Sequence, residues 1–126
     1  MKLAGFFVLN GLLGLVFGLE FLLMPELALS QYGVPTEAHN LMQARYFGAT
    51  LAAFGLIYWL CRGTRDDATR RALLIAGVFG NAAGLALSLW ARTSGLQGPL
   101  AWLSVAIYAA LLIGSLYFLL RPARRD

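Results

Sequence analysis

An all-α membrane protein, a bundle of four transmembrane helices running up and down, is the fold class this sequence predicts. Three observations carry it. Of the 126 residues 60% are apolar and only 13% are charged, against about 25% charged in a soluble domain. The apolar residues fall into four runs, each near the ~20 residues that a spanning helix needs. The basic residues cluster beside those runs, as topology signals do. A net charge of +4 would otherwise raise nucleic acid as a partner, but no basic polar face exists to bind it, so none is expected.

The first run, Leu3 to Met24, holds one ionisable residue, Glu20. Lys2, the apolar stretch and Ala28-Leu29-Ser30 have the outline of a signal peptide with a small-residue cleavage site. The stretch is too long for that, and a true span over about 3–24 is expected. In the loop that follows, Pro25-Glu26 suits the first turn of a short helix and Gly33 its end. Leu27, Leu29 and Tyr32 are expected to rest on the outer leaflet as a short interfacial segment.

The second run, Leu41 to Cys61, holds only Arg45. It predicts a helix over about 37–61, capped by Thr36 and closed by a left-handed Gly63. His39 and Asn40 fall on its first turn. The third run, Ala72 to Ala91, holds no ionisable residue. Asp66 can cap its helix and Asp67 favours the positive end, giving about 67–91. The fourth, Leu100 to Leu120, is also uncharged and follows a turn built on Gly95 and Gly98-Pro99, giving about 100–120. Connections this short make sequential helices antiparallel neighbours, so residues 1–126 form one transmembrane domain.

Direction follows from charge. Lys2, Arg62, Arg65, Arg70, Arg71, Arg121, Arg124 and Arg125 lie on one side, against Arg45 and Arg92 on the other. The positive-inside rule then puts both termini in the cytoplasm. Trp90 and Trp102 belong to the outer interfacial belt, and Tyr58, Trp59 and Tyr117 to the inner one.

Helices in lipid associate by close packing, so small residues mark their contacts. Gly11, Gly14 and Gly18 lie within a stripe roughly 60° wide on the first helix. Gly48 and Gly55, with Ala49 and Ala52, mark the second. Gly77, Gly80 and Gly84 mark the third, and Ser104, Tyr108 and Ser115 share a face of the fourth. Gly11, Gly14, Gly18 and Gly48 each have a glycine 66 residues later. That offset raises a duplicated helical hairpin, set against two independently glycine-rich faces.

Polar groups inside a membrane are costly and mark candidate sites. Glu20 and Arg45 fall at similar depth near the outer ends of adjacent helices. They are expected to form an interhelical ion pair, or to line an outward pocket. Glu20 projects roughly 150° from the glycine stripe and so faces another neighbour. Asn10 and Asn81 are expected to hydrogen-bond across the first and third helices, or to hold a polar ligand group. His39 is a solvated surface residue or, less simply, an acid–base group. Cys61, the single cysteine, allows no intrachain disulfide. No metal or cofactor is expected.

The stretches "GLLGLVFGLEFLLMPELALSQYG" and "ARYFGATLAAFGLIYW", followed by a basic loop and a small-residue third helix, resemble small bacterial four-helix membrane proteins, loosely the DoxX-like group. The resemblance implies a four-helix bundle in the bacterial inner membrane and no particular activity. Small multidrug transporters, fluoride channels and glutathione-linked membrane enzymes each share one feature with the chain, and none lends it a catalytic residue. The expectation for function is a non-enzymatic accessory or assembly subunit that packs a spare glycine face against partner membrane chains or a second copy. The alternatives are a small transporter or lipophilic-ligand binder anchored by Glu20 and Arg45, and a membrane enzyme acting on a lipid or quinone.

Overall fold

The computed structural model describes residues 1–95 and 98–121. It is all-helical, with five helices: α1 (Leu3–Leu23), α2 (Pro25–Gln31), α3 (Ala38–Leu60), α4 (Asp67–Thr93) and α5 (Ala101–Leu120). Three of them, α1, α4 and α5, are long and apolar enough to cross a membrane. The fourth long helix, α3, has the length but carries His39, Asn40, Gln43 and Arg45 along its first two turns. Arg124 and Arg125 lie outside the described residues.

The four long helices alternate in direction and pair off as two hairpins, α1 with α3 and α4 with α5. Glycine sets the first pairing. A Cβ built on Gly14 would stand 2.7 Å from Gly55 Cα, and one on Gly55 would stand 2.6 Å from Leu15 N. Gly11 meets Gly55 and Trp59 in the same way, and Gly18 interlocks with Gly48 and Ala52. Backbone therefore lies on backbone over three turns, as a small-residue seam requires.

The α4–α5 hairpin uses its glycines differently. Gly77 makes room for Ser115 Oγ and the Tyr58 hydroxyl, and Gly84 lies under the Tyr108 ring. Gly80, expected to pack, has nothing within 4 Å of a built Cβ, because α4 faces a hollow at that point. Positions related by the 66-residue offset therefore do different work, backbone contact in one hairpin and aromatic seating in the other.

The hairpins meet at both ends. At the basic end, where Lys2, Arg62 and Arg121 lie, the core is Phe6, Phe7, Tyr58, Leu73, Leu74 and Leu111. Tyr58 Oη donates to Leu73 O at 2.8 Å, so Tyr58 is a buried tie between hairpins and not a member of an interfacial belt. Trp59 and Tyr117 do lie under arginines, with Arg62 Cζ 4.6 Å from one ring and Arg121 Cζ 4.3 Å from the other. At the opposite end Arg92 stacks on Trp102 at 4.6 Å.

Local capping mixes agreement and correction. Asp66 accepts from Thr69 N at 2.9 Å and from its hydroxyl at 2.6 Å, and these bonds hold its carboxyl below the usual range. Gly33 and Gly95 take positive φ, 72° and 94°, as turns at helix ends require. Gly63 does not, since tight turns from Arg62 N to Trp59 O and from Thr64 N to Cys61 O close α3 without a left-handed residue. Thr36 does not cap α3; Glu37 holds that position with no side-chain bond.

Arg70 ties α4 to α5. Its guanidinium donates to Phe118 O, and to Arg121 O at 3.1 Å, with Asp67 Oδ1 3.5 Å away. These carbonyls end a helix and have no intrahelical partner. Arg70 is the one arginine of the basic loop whose side chain is largely buried, at 11% exposure. Arg70→Ala is expected to destabilise the protein by about 1.5–3 kcal/mol, read as a lower unfolding midpoint in mixed micelles. Arg71→Ala, at an exposed position, is expected to leave the midpoint unmoved.

Candidate functional site

Between the two hairpins lies a cavity of about 520 Å³, within the range that small-molecule sites occupy. The reason is geometric. Glycine draws α1 and α3 into backbone contact, while phenylalanine and tyrosine hold the second hairpin away from the first. Among the described residues, the ties between the hairpins gather toward their ends. At the α2 end the closure is Tyr32, whose hydroxyl accepts from Ser104 Oγ at 2.7 Å, together with Leu100 N donating to Gln31 O at 3.0 Å.

That closure corrects the interfacial reading of the first loop. Ala28 and Leu29 are buried against Phe21 and Ala44, and only Leu27 of the expected leaflet contacts is exposed. Helix α2 folds back over the bundle because Pro25 starts it immediately after α1 ends, leaving it no length to reach outward. Burial raises the Tyr32 phenol above its ordinary pKa, the Ser104 bond opposes this, and the nearby Glu20 carboxylate adds to it.

The cavity wall is mostly apolar and aromatic. Phe17 and Phe21 come from α1, Phe47 and Phe54 from α3, Phe79 from α4, and Ile107 and Leu111 from α5. Its polar groups are Asn10, Asn81, Thr50, Ser88, Ser104 and the tyrosines Tyr32, Tyr58 and Tyr108. Asn10 and Asn81 do not bond to one another. Asn10 Nδ2 donates to Phe6 O and Asn81 Nδ2 to Gly77 O, both at 2.8 Å. Each amide serves the carbonyl one turn back on its own helix, which is nearer than the facing helix across the cavity.

These bonds fix the orientation of each amide. A backbone carbonyl only accepts, so the atom facing it must be nitrogen. Oδ1 therefore points the other way, and among the described residues it has no hydrogen-bond partner in either asparagine. Tyr58 lies against Gly77 and Trp59 against Gly11, so Asn10 is near the level of Gly77. Asn81 is then about one helical turn, ~5 Å, higher. The two residues therefore line the cavity from different hairpins, α1 and α4, about one turn apart in level.

The Glu20–Arg45 pair does not form: among the described residues the ion pairs are Glu37–His39 at 3.9 Å and Arg70–Asp67 at 3.5 Å. The cause is the facing of each helix. The glycine stripe of α1 meets α3, so Glu20, on the far side of α1, points away from it, while Arg45 sits on the exposed side of α3. Neither residue lines the cavity. Glu20 Oε1, Gln31 Oε1 and Arg92 Nε are buried without a partner. His39 is exposed and lies outside the cavity. Cys61 is half-buried and free.

Sequence reasoning singled out Asn10 and Asn81 as candidate ligand groups, gave Ser104 and Tyr108 only a shared packing face, and missed Tyr32, Tyr58, Thr50 and Ser88 as lining groups. Thr50 and Ser88 were visible as hydroxyls inside otherwise apolar runs. Tyr32 was not, since only the fold-back of α2 brings it to Ser104.

Residues 9–125 match the model of a domain of unknown function, DUF8292, and the chain belongs to that family. No curated protein and no solved structure matches it.

Proposed function

We propose that this DUF8292 protein is a lipophilic-ligand-binding membrane protein, with its site between the two hairpins and not at Glu20 and Arg45. The observation that carries the reading is the cavity itself, walled by aromatic side chains and furnished with two unpartnered asparagine carbonyls. Large apolar pockets with a few convergent polar groups are the usual form of small-molecule sites. Among the described residues, the buried polar side-chain atoms without a partner are Glu20 Oε1, Gln31 Oε1 and Arg92 Nε, so the two asparagine oxygens stay accessible from the cavity, where a bound molecule can donate to them.

In this reading α3 is the fourth span, and the termini face the cytoplasm, as the excess of basic residues at that end favours. The arginine–aromatic stacks at both ends fit the headgroup levels of a cytoplasmic membrane. An assembly role has less support. Most of the glycine face expected to be spare for partners is taken up inside the chain, by α3 along α1 and by Ser115, Tyr58 and Tyr108 at Gly77 and Gly84 of α4, with Gly80 alone open.

The test is co-purification. The protein is extracted in mild detergent, and bound non-protein mass is measured by native mass spectrometry. The wild type is expected to retain a lipophilic molecule at about one per chain. Leu13→Trp, which fills the cavity from the α1 wall, is expected to retain at least about tenfold less with its melting transition intact. Equal retention by both proteins, or none by the wild type, overturns the reading.

A further inference from the structure

We infer that the cavity takes an uncharged lipid by its hydroxyl group, and that this lipid enters sideways, between α3 and α4, from the bilayer core. The inference deepens the binding reading above and rests on it.

The headgroup is read from what faces the cavity. None of the lining side chains among the described residues is an arginine, lysine, histidine, aspartate or glutamate. A phosphate or ammonium seated there would be an unpaired buried charge, which a low-dielectric site rejects. Asn10 and Asn81 each have both Oδ1 lone pairs unspent against a single remaining N–H, so their capacity is weighted toward accepting. Tyr108, with no partner for its hydroxyl among the described residues, adds a group that accepts or donates. A hydroxyl satisfies such a set, donating to one carbonyl and accepting from the phenol. An ether or ester lacks the proton to do so.

The route is read from exposure. On α3 the lining residues Phe47, Thr50 and Phe54 are exposed, and on α4 so are Phe79, at 78%, and Gly80. Every lining residue on α1 and α5 is buried or half-buried. The mouth is therefore the α3–α4 side, and α1 with α5 is the back wall. Although α3 and α4 are consecutive in the chain, their backbones do not pack along their length. They are pinned at the basic end by Tyr58 on Leu73 O. Gly80 stands in this opening with nothing within 4 Å of a built Cβ, so a side chain there narrows the mouth without displacing a neighbour.

The test uses three probes that share one tail: farnesol, farnesyl methyl ether and farnesyl phosphate. Binding to the full chain in phosphatidylcholine nanodiscs is measured with tritiated farnesol, the other two as competitors. Farnesol is expected to bind saturably, the ether at least about tenfold more weakly, the worth of one lost hydrogen bond, and the phosphate at least about tenfold more weakly because its charge is buried unpaired. The double variant Asn10→Leu, Asn81→Leu is expected to bind alcohol and ether alike. Gly80→Phe is expected to slow farnesol association at least about fivefold, while Ile113→Phe, on the exposed face of α5, leaves the rate unchanged.

Ether or phosphate binding as tightly as the alcohol overturns the hydroxyl assignment and leaves the binding reading standing. An unchanged rate in Gly80→Phe, with its melting transition intact, overturns the route. Absence of saturable binding by all three probes overturns the inference, and the co-purification measurement decides separately whether the binding reading falls with it.

Discussion

Replacing Gly14 by leucine is expected to force α1 off α3 and remove the folded state. The seam there is backbone against backbone, with Gly55 Cα 2.7 Å and Leu51 O 3.1 Å from the position a Cβ would take. No flexible side chain stands in the way that could swing aside, so the helices must separate. In the membrane setting proposed above, the apolar residues gain nothing by leaving one another for acyl chains, and close packing is itself the association energy. Gly14→Ala is expected to cost about 1–3 kcal/mol, the range for overpacking a dense contact. Gly80→Ala supplies the contrast: with open space at its Cβ, it gains about 0.5–1 kcal/mol from the better helix former. Unfolding midpoints in mixed micelles measure both. Equal midpoints for the two alanine variants would mean that α1 and α3 are not in backbone contact.

Phe7→Ala is expected to loosen one hairpin from the other while leaving the glycine seam intact. Phe7 is fully buried, and its ring meets Tyr58 edge-on at 5.5 Å. Leu74, also fully buried, belongs to the same cluster. Among the described residues the ties between the hairpins gather toward their ends, so this cluster carries much of the coupling. Truncating a buried phenylalanine costs about 3–5 kcal/mol. The prediction is read in hydrogen exchange of the full chain. Amides of α4 near Leu73 and Leu74 are expected to exchange faster by at least about a hundredfold, those of α1 and α3 around Gly14 and Gly55 much less. Uniform acceleration throughout would show that the hairpins do not behave as separate units.

The two predictions separate what was legible in the chain from what was not. The glycine spacing 11, 14, 18 on one helix and 48, 55 on the next was visible because a helix repeats its faces at fixed angular steps. The same pattern at 77, 80 and 84 looked equivalent and is not. A glycine only permits close approach, and what approaches is set by the opposite wall: backbone for Gly14, a tyrosine ring for Gly84, nothing for Gly80. Glu20 and Arg45 were matched by depth along their helices, but depth does not fix rotation, and the α1–α3 seam turns them apart. Asn10 and Asn81 were recognised as costly polar groups. Their partners were not, because the carbonyl one turn back competes with any acceptor across a gap, and the sequence does not give the width of that gap.

By itself the sequence determined the four long helices and their ends to within two or three residues, the caps at Asp66 and Gly33, the alternation of direction and the basic end of the bundle. These are local quantities, fixed by run length, by side-chain chemistry at the helix ends and by connections too short to do otherwise. Only the tertiary structure decided that α2 folds inward, that Tyr32 closes on Ser104, and that a cavity opens between two hairpins. The physical reason is that a cavity is a difference between two distances, the close approach glycine allows within one hairpin and the separation aromatic rings impose between the two. Neither distance belongs to any single segment of the chain.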